Sequence, residues 1–262
     1  MADVDRIKHR FFAPSVPEAG ELLDLDEGES RHALGALRLA PGTDVEVFDG
    51  RGAEAVGELA PAGRRLARVR VIRRRQAERP EPVVELAFAV PKGKRLDWLL
   101  EKAAELGAVR LQPVVFERSV AQPELSEHAA ARWRGVCIAA AKQSGSAFLP
   151  EIMPPADLRA LLARFGQGQG DGGAPGGPLA ILGSAANGPV AGHAPPLTEA
   201  MAGWAAGRPI VLLIGPEGGL TDAERLAAEQ AGFVPARLGL TVLRIETTAV
   251  ALLAGVLACA KS

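Results

Sequence analysis

The most chemically distinctive residues lie in a glycine-rich segment near the C-terminus, Gly215-Pro216-Glu217-Gly218-Gly219. Glycines allow backbone conformations that other residues avoid, so a segment of this kind can approach a ligand closely. It has neither the lysine of a GxxxxGKS/T phosphate loop nor the spacing of a GxGxxG loop, and Glu217 would repel a pyrophosphate beside it. A carboxylate in a loop whose glycines leave the backbone exposed favours a neutral or cationic ligand. The alternative is that the segment is only a tight turn.

A second group of polar residues, Arg244, Glu246 and Thr247, precedes the last predicted helix. A guanidinium can stabilise an anion that develops during a reaction, or it can bind a phosphate, and Glu246 could orient Arg244 for either role. Thr247 is placed for a hydrogen bond at the helix N-terminus. A structural salt bridge between Arg244 and Glu246 is the alternative interpretation.

Alternating strands and helices must position these two groups. The apolar run Ile210–Ile214 is typical of a strand that is buried on both faces, and Thr221-Asp222-Ala223-Glu224 is a capping box that predicts the start of a helix. A second apolar segment spans residues 234–240, and residues 249–260 form an almost wholly apolar helix. This order predicts an α/β fold that binds its ligand at the carboxyl ends of the strands.

The N-terminal part of the chain has a different pattern. Short alternating segments at 44–48, 53–59 and 66–72 are separated by turn signals, which predicts a small β-barrel, and Ser30 is expected to cap a short helix. A polar stretch with two prolines at 76–82 marks a domain boundary. We therefore predict one domain at residues 1–76 and a second at 80–262, with the glycine-rich stretch 166–177 as a flexible surface loop.

Composition and charge narrow the classes of function. The formal net charge is −1, and arginines concentrate at 64–79, where they form either a phosphate-contacting stripe or a solvated strand face with a charged linker. The N-terminus has no apolar signal region, and no apolar run reaches the ~20 residues of a membrane span. The two cysteines predict buried, reduced thiols. These features predict a cytoplasmic protein, and its cysteines and histidines show no metal-ligand spacing.

Three C-terminal motifs resemble those of the SPOUT methyltransferases: residues 214–220 (IGPEGGL), 238–239 (LG) and 243–249 (LRIETTA). The likeness is closest to the family of ribosomal small subunit methyltransferase E, which methylates N3 of a uridine in 16S rRNA. Residues 10–12, 92–107, 117–119 and 142–145 resemble further motifs of this family. The resemblance implies a SPOUT-type, trefoil-knotted α/β methyltransferase domain, preceded by a small PUA-like β-barrel domain that helps to bind RNA.

The resemblance also implies a cofactor, partners and site residues. The cofactor is S-adenosyl-L-methionine, and the partners are 16S rRNA or the small ribosomal subunit and a second copy of the chain in a homodimer, with no metal and no membrane. Arg244 and Glu246 are expected to be catalytic. The residues expected to contact RNA are Arg10, Arg38, Lys92, Lys94, Arg95 and Arg118. The residues expected to bind the cofactor are Leu182, Gly183, Ile214, Gly215, Pro216, Glu217, Gly218, Gly219, Leu238, Gly239, Leu243, Thr247 and Ala249.

Two positions depart from the family pattern. Ser146 and Thr241 stand where the family often has arginine, which removes cations from the expected RNA-facing side. Two alternatives therefore stay open: a SPOUT enzyme that methylates another RNA, at a tRNA or rRNA base or a ribose 2′-oxygen, and a non-catalytic RNA-binding protein. The apolar C-terminal helix predicts either a dimer interface or burial within one subunit. The sequence does not identify the group that accepts the proton from uridine N3.

Overall fold

The structure is a computed structural model that describes residues 9–63, 65–120, 126–166, 177–183, 194–238, 241 and 243–260. These residues form two compact units. The first contains the described residues up to Arg79 together with Ile138–Leu149, and the second contains Pro80–Cys137 and the described residues from Pro150 onward. A segment from the middle of the chain is therefore part of the first unit.

A five-stranded sheet is the basis of the first unit. Its elements are β1 (Arg10–Phe12), β2 (Leu22–Asp24), α1 (Glu27–Arg31), a π-helix (His32–Ala36), β3 (Asp44–Phe48), β4 (Ala53–Ala60) and β5 (Arg68–Gln76). The strand order is β1-β3-β4-β5-β2, in which β1 is parallel to β3 and the other neighbours are antiparallel. Val45, Val47, Val69 and Val71 alternate into the core with Phe11, because successive residues of a strand point to opposite faces.

Helix α1 begins earlier than the sequence suggested. Its N-cap is Asp26, whose carboxylate accepts a hydrogen bond from the backbone N–H of Glu29 at 2.7 Å. Ser30 is buried; its hydroxyl donates to the carbonyl oxygen of Leu25 and accepts from the backbone N–H of Ala67, both at 3.0 Å. The prediction of Ser30 as a cap was wrong, because its hydroxyl joins the helix to the segment before β5 instead.

The arginine-rich strand β5 loses its regular alternation at a β-bulge. Gly57 of β4 pairs with Val71, whereas Val56 pairs with Arg73. Ile72 therefore has no residue opposite it, and its side chain is 53% exposed. A bulge of this kind changes which side chains of the strand point outward, so a simple alternation does not describe the second half of β5.

A parallel sheet with helices forms the second unit. Its elements, with α3 ending in the first unit, are β6 (Val84–Ala89), α2 (Lys94–Glu105), β7 (Arg110–Val115), α3 (Glu127–Ser144), β8 (Glu151–Ile152), β9 (Ala156–Asp157), α4 (Leu158–Gly166), β10 (Leu179–Gly183), α5 (Leu197–Ala200), β11 (Ile210–Ile214), α6 (Asp222–Gln230), β12 (Val234–Ala236) and α7 (Ile245–Cys259). The order is β12-β10-β11-β6-β7-β8, with β9 also paired to β7. The pairings described between these strands are parallel.

The two central strands of this sheet, β6 and β11, are buried along their whole length. One charged residue, Glu85, lies in β6, and its carboxylate accepts hydrogen bonds from Arg164 at 2.8 and 2.9 Å and from Arg110 at 3.3 Å. Burial of a charge is tolerated when such partners are present. The expected doubly buried strand Ile210–Ile214 is thus present, at the centre of a parallel sheet.

The two cysteines differ in their environments. Cys137 is buried, and burial raises the pKa of its thiol to about 12. Cys259 is only partly buried. The prediction of buried thiols therefore holds for Cys137 and was wrong for Cys259. Within the part of the chain that the structure describes, no helix has both the length and the apolar character needed to cross a bilayer.

A methyl group at position 57 should destabilise the first unit. The Cβ of Gly57→Ala would lie 2.4 Å from the carbonyl oxygen of Arg70 and 2.7 Å from Cγ1 of Val69. Overpacking of this kind typically costs 1–3 kcal/mol, so we expect a loss of about 2 kcal/mol and a calorimetric transition lowered by roughly 10 °C. Gly63→Ala is the control, since in the part of the chain that the structure describes no atom lies within 4 Å of its Cβ position. Equal transition temperatures for the two variants would contradict the proposed close approach of β4 and β5.

Candidate active site

The carboxyl ends of neighbouring parallel strands meet at one edge of the second unit's sheet. Gly183 of β10 lies beside Ile214 of β11, and Ile214 lies beside Phe88 of β6. On the other side of β10, Ala236 of β12 pairs with Gly183. The loops that follow these strands therefore start from adjacent positions, which is where parallel α/β sheets bind their ligands.

Helix α7 packs onto this edge at a glycine. A Cβ on Gly183 would lie 2.8 Å from Cδ1 of Leu252 and 3.2 Å from Cγ2 of Thr248, so a residue with a side chain would require these two side chains to move. Arg244 is the N-cap of α7, and its carbonyl oxygen accepts hydrogen bonds from the backbone N–H of Thr248 at 2.8 Å and from its hydroxyl at 2.9 Å. The positive end of the α7 dipole is therefore close to the strand ends.

Two carboxylates at this edge share one arginine. Arg95, in the first turn of α2, has Nη1 3.8 Å from Oε1 of Glu217 and Nε 3.8 Å from Oε1 of Glu246. These separations are ion pairs rather than hydrogen bonds. The Glu246 side chain is only 9% exposed, and its Oε2 atom is buried with no hydrogen-bond partner among the described residues. Arg95 thus links the glycine loop to the first turn of α7.

Hydrogen bonds attach the loop after β7 to the glycine loop and to α6. Oε2 of Glu224 closes the predicted capping box by accepting from the backbone N–H and the hydroxyl of Thr221, at 2.8 and 3.1 Å. Oε1 of the same carboxylate accepts from the backbone N–H of Glu117 at 2.8 Å. Arg118 donates from Nη1 to the carbonyl oxygen of Gly218 at 3.1 Å. The loop after β7 is therefore held to α6 through Glu224, and its Arg118 restrains the glycine loop.

The predicted cofactor-binding residues that the structure describes concentrate at this edge. Pairing of β10 with β11 brings Gly183 beside Ile214, and Cδ2 of Leu238 lies 4.0 Å from the Cβ position of Gly255 in α7. Gly239 lies outside the described residues. The others are buried (Leu182, Ile214, Pro216, Ala249), partly buried (Gly183, Gly215, Gly219, Leu238, Leu243) or exposed (Glu217, Gly218, Thr247).

The predicted RNA-contacting residues are divided between the two units. In the second unit, Lys92 and Lys94 are exposed near the start of α2, and Arg95 and Arg118 carry the contacts described above. Arg38 belongs to the first unit. It is exposed and has a φ of 54°, a left-handed conformation that is uncommon for residues with a side chain.

The structure gives Arg10 a packing role that does not fit the predicted RNA contact. Its side chain is 9% exposed and donates hydrogen bonds to Oε1 of Glu54 at 2.6 Å and to the carbonyl oxygen of Ser146 at 2.9 Å. The guanidinium carbon lies 4.5 Å from the centre of the Phe48 ring. Because the guanidinium is enclosed and paired, we correct this prediction: Arg10 stabilises the first unit rather than presenting a free cation.

Arg244 and Glu246 are not arranged as the sequence suggested. Arg244 is exposed, and within the described part of the chain no hydrogen bond or ion pair involves its side chain. The cation beside Glu246 is Arg95, so the described contacts support neither the orienting contact nor the salt bridge expected between Arg244 and Glu246. Sequence reasoning missed the Arg95 pairing because it depends on α2 and α7 being packed together, which no local pattern reveals.

Comparisons with known proteins show what these units are similar to. A family model described as RNA methyltransferase domain matches residues 78–257, and one described as RNA methyltransferase PUA domain matches residues 25–72. The ribosomal RNA small subunit methyltransferase E of Mycobacterium bovis is 31% identical over 248 residues, covering 94% of this chain and 90% of its own.

Solved structures of methyltransferases are also similar to this chain. The ribosomal RNA small subunit methyltransferase E of Neisseria gonorrhoeae, bound to S-adenosyl methionine, superposes with a TM-score of 0.80 at 27% identity, covering 95% of this chain and 97% of its own. A putative methyltransferase of Legionella pneumophila, also in complex with S-adenosyl methionine, has a TM-score of 0.75 at 27% identity, covering 95% and 96% of the two chains.

The two matched domains define the class as RNA methyltransferases with a PUA domain. The chain belongs to the family of ribosomal RNA small subunit methyltransferase E. The family predicted from residues 214–220, 238–239 and 243–249 is therefore confirmed, as are the α/β fold with a parallel sheet and the PUA-like domain at the N-terminus. The trefoil knot stays a prediction.

Removal of the Glu224 carboxylate should loosen the attachment of the loop after β7. Glu224→Ala loses the acceptors for Glu117 and Thr221, and hydrogen bonds to charged groups contribute about 1.5–3 kcal/mol each. We expect amide hydrogen exchange at Glu117 and in the first turn of α6 to become faster by about tenfold. Glu229→Ala is the control, because its carboxylate pairs with Arg225 at 3.0 Å in the same helix. Similar exchange rates in both variants would show that Glu224 does not hold this loop.

Proposed function

We propose that this chain transfers a methyl group from S-adenosylmethionine to N3 of a uridine in the 16S rRNA of the small ribosomal subunit. The names of its relatives support a ribosomal RNA of the small subunit as substrate, and the family resemblance supports uridine N3. The observation that carries the proposal is the link that Arg95 makes between Glu217 of the glycine loop and Glu246 in the first turn of α7, the helix whose N-cap is Arg244. The alternative targets have no comparable observation in their favour.

The residues at this edge fit a cationic cofactor. Glu217 would repel a phosphate group, and the glycine loop contains no lysine to offset it. Gly219 has a φ of 69°, and no atom of the described residues lies within 4 Å of its Cβ position, so the loop backbone is open to a ligand. S-adenosylmethionine, when bound, supplies a methyl group on a positively charged sulfur. We propose that the residues predicted from the motifs at 182–183, 214–219, 238–239, 243, 247 and 249 hold it.

Arg244 is the residue that we assign to stabilising the uracil anion. N3 of uracil carries a proton at neutral pH, so methylation requires that the proton leaves and that the remaining negative charge is stabilised. A guanidinium stays charged and presents several N–H donors in one plane. The Arg244 side chain is exposed and unpaired among the described residues, so it can approach the base without first breaking an ion pair.

RNA binding must rely on a limited number of available cations. The formal net charge of −1 provides no overall attraction to RNA, although phosphate contacts supply much of the affinity in such complexes. In the second unit we assign these contacts to Lys92, Lys94, Arg95 and Arg118. The exposed position of the two lysines supports this assignment. Arg95 and Arg118 already contact Glu217, Glu246 and Gly218, so each would bind a phosphate either in addition to these contacts or in place of them.

Three arginines of the cluster at residues 64–79 are engaged in ion pairs. Arg68 pairs with Asp24, Arg74 lies 3.4 Å from Glu18, and Arg75 lies 2.8 Å from Glu54. The exposed arginines without an ion pair among the described residues include Arg38, Arg70 and Arg73. We assign the phosphate contacts of the PUA-like domain, proposed to span residues 1–76, to these side chains.

We also propose a cytoplasmic homodimer that packs through α7 of the knotted methyltransferase domain, residues 80–262. One face of α7 is buried within the subunit and consists of Ala249, Leu252, Leu253 and Val256. On the other side, Ala254 and Ala258 are exposed and Leu257 is only partly buried. An apolar helix face left exposed in this way favours contact with a second protein surface.

Loss of the Arg244 guanidinium should slow methyl transfer more than it weakens cofactor binding. In transfer of a labelled methyl group to unmodified small ribosomal subunits, we expect Arg244→Ala to lower kcat by about a hundredfold to a thousandfold, the range for loss of one anion-stabilising donor. Titration calorimetry should show the affinity for S-adenosylmethionine nearly unchanged. Arg225→Ala is the control, because Arg225 pairs within α6.

Mass-spectrometric analysis of the digested product should identify 3-methyluridine. Another methylated nucleoside made by the wild-type protein would contradict the uridine N3 assignment. An unchanged kcat for Arg244→Ala would remove Arg244 from the reaction while leaving the assignment of the substrate intact.

A charge on the exposed face of α7 should prevent dimerisation. We expect Ala254→Arg to sediment as a monomer in analytical ultracentrifugation, because an arginine in an apolar interface has no partner and is costly to desolvate. Ala223→Arg provides a matched control at an exposed position of α6 and should remain dimeric. A monomeric wild-type protein, or a dimer of Ala254→Arg, would contradict packing through α7.

A further inference from the structure

The carboxylate of Glu246 has one oxygen whose hydrogen-bonding capacity is unused. The side chain is 9% exposed, and Oε1 lies 3.8 Å from Nε of Arg95. Oε2 is buried and has no hydrogen-bond partner among the described residues. Buried polar atoms of side chains nearly always have a partner, so an exception calls for a specific explanation. A donor on a bound ligand would provide that partner.

The surroundings of Glu246 are a helix N-terminus, one cation and a second carboxylate. Glu246 is in the first turn of α7, where the positive end of the helix dipole attracts an anion. The charged groups described nearby are Arg95 at the start of α2 and Glu217 on the glycine loop, and both carboxylates lie 3.8 Å from the same guanidinium. The guanidinium therefore offsets the mutual repulsion of the two carboxylates.

We propose that Glu246 is the proton acceptor for N3 of the target uracil, an assignment that rests on the proposed function. The N3–H group would donate to Oε2 and then transfer its proton to that oxygen. The electron pair left on N3 forms the new bond to the methyl carbon, the carbon–sulfur bond breaks, and its electrons remain on sulfur, which becomes a neutral thioether. The protonated carboxyl group returns its proton to water after product release.

The positions of Glu246 and Arg244 suit two complementary tasks. Arg244 is the N-cap of α7, and Glu246 follows it by two residues in the first turn. Arg244 is exposed and Glu246 is buried, so one side chain is available to the outer face of a base while the other supplies an acceptor in a site shielded from water. A proton acceptor and an anion-stabilising cation are the two groups that methylation of a protonated ring nitrogen requires.

Glu246→Gln tests the acceptor role with little change in shape. With unmodified small ribosomal subunits as substrate, we expect kcat to fall by about a hundredfold to ten-thousandfold, the usual contribution of a general base. The affinity for S-adenosylmethionine, measured by calorimetry without RNA, should change by less than about threefold, because the free Oε2 atom is assigned to the base and not to the cofactor. A large loss of cofactor affinity would overturn the assignment.

Chemical rescue separates loss of a base from a structural defect. Small subunits reconstituted with 16S rRNA that contains 5-fluorouridine present a more acidic N3–H, because fluorine withdraws electron density from the ring. We expect the ratio of wild-type to Glu246→Gln rates to shrink by about tenfold or more on this substrate, since a weaker base suffices when the proton is more acidic. An equal ratio on the two substrates would overturn the assignment.

Glu246→Asp provides the second variant, because it keeps a carboxylate on a shorter side chain. We expect its kcat to lie between those of the wild type and Glu246→Gln, with comparable melting temperatures by circular dichroism for the three proteins. Equal rates for the aspartate and glutamine variants would overturn the proposal. Failure of the wild-type protein to form 3-methyluridine would instead contradict the proposed function, so the two failures are distinguishable.

Discussion

The packing of helix α7 against α2 and against strands β6, β10 and β11 determines where the polar groups at the carboxyl edge of the second unit's sheet lie. The space beside Gly183 is filled by Leu252 and Thr248 of α7, and a side chain at that position would require these two side chains to move. Because α7 is held there, its N-terminus lies close to the strand ends and to the start of α2. The positions of Arg244 and Glu246 and the ion pair with Arg95 depend on this packing, much as ligand sites of parallel sheets generally depend on how their elements are arranged.

Ion pairing distinguishes the charged side chains that stabilise the fold from those that can bind a ligand. Several arginines of this nearly neutral chain are held by carboxylates: Arg10 by Glu54, and Arg164 by Glu85. An arginine so engaged contributes to packing and cannot approach an anion without breaking its pair, whereas the exposed Arg244 can. The buried oxygen of Glu246 is the reverse case, an acceptor for which the described protein supplies no donor. Among the described residues, an unpaired cation, Arg244, and an acceptor without a donor, Glu246, both lie at the start of α7. For this reason we propose that the reaction takes place at the N-terminus of this helix.

The sequence predicts the local parts of this arrangement well. The capping box of Thr221 and Glu224 is present in detail, because both halves of the motif lie within one turn of helix. The doubly buried strand β11 also follows from its apolar composition. Long-range partners could not be predicted: Arg95 meets Glu246, and Glu224 meets Glu117, through the packing of elements that are far apart in the sequence. The confirmed family came from motif resemblance, since periodicity and spacing alone indicate an α/β ligand site and no particular substrate.

The central claim is that this chain forms 3-methyluridine in 16S rRNA, and nucleoside analysis of cellular rRNA tests it most directly. The measurement compares digested 16S rRNA, by mass spectrometry, from cells with the gene, cells without it, and cells complemented with the wild-type gene. We expect 3-methyluridine to disappear with the gene and to return on complementation. Undiminished 3-methyluridine in the cells without the gene would contradict the proposed function, whatever the purified protein binds.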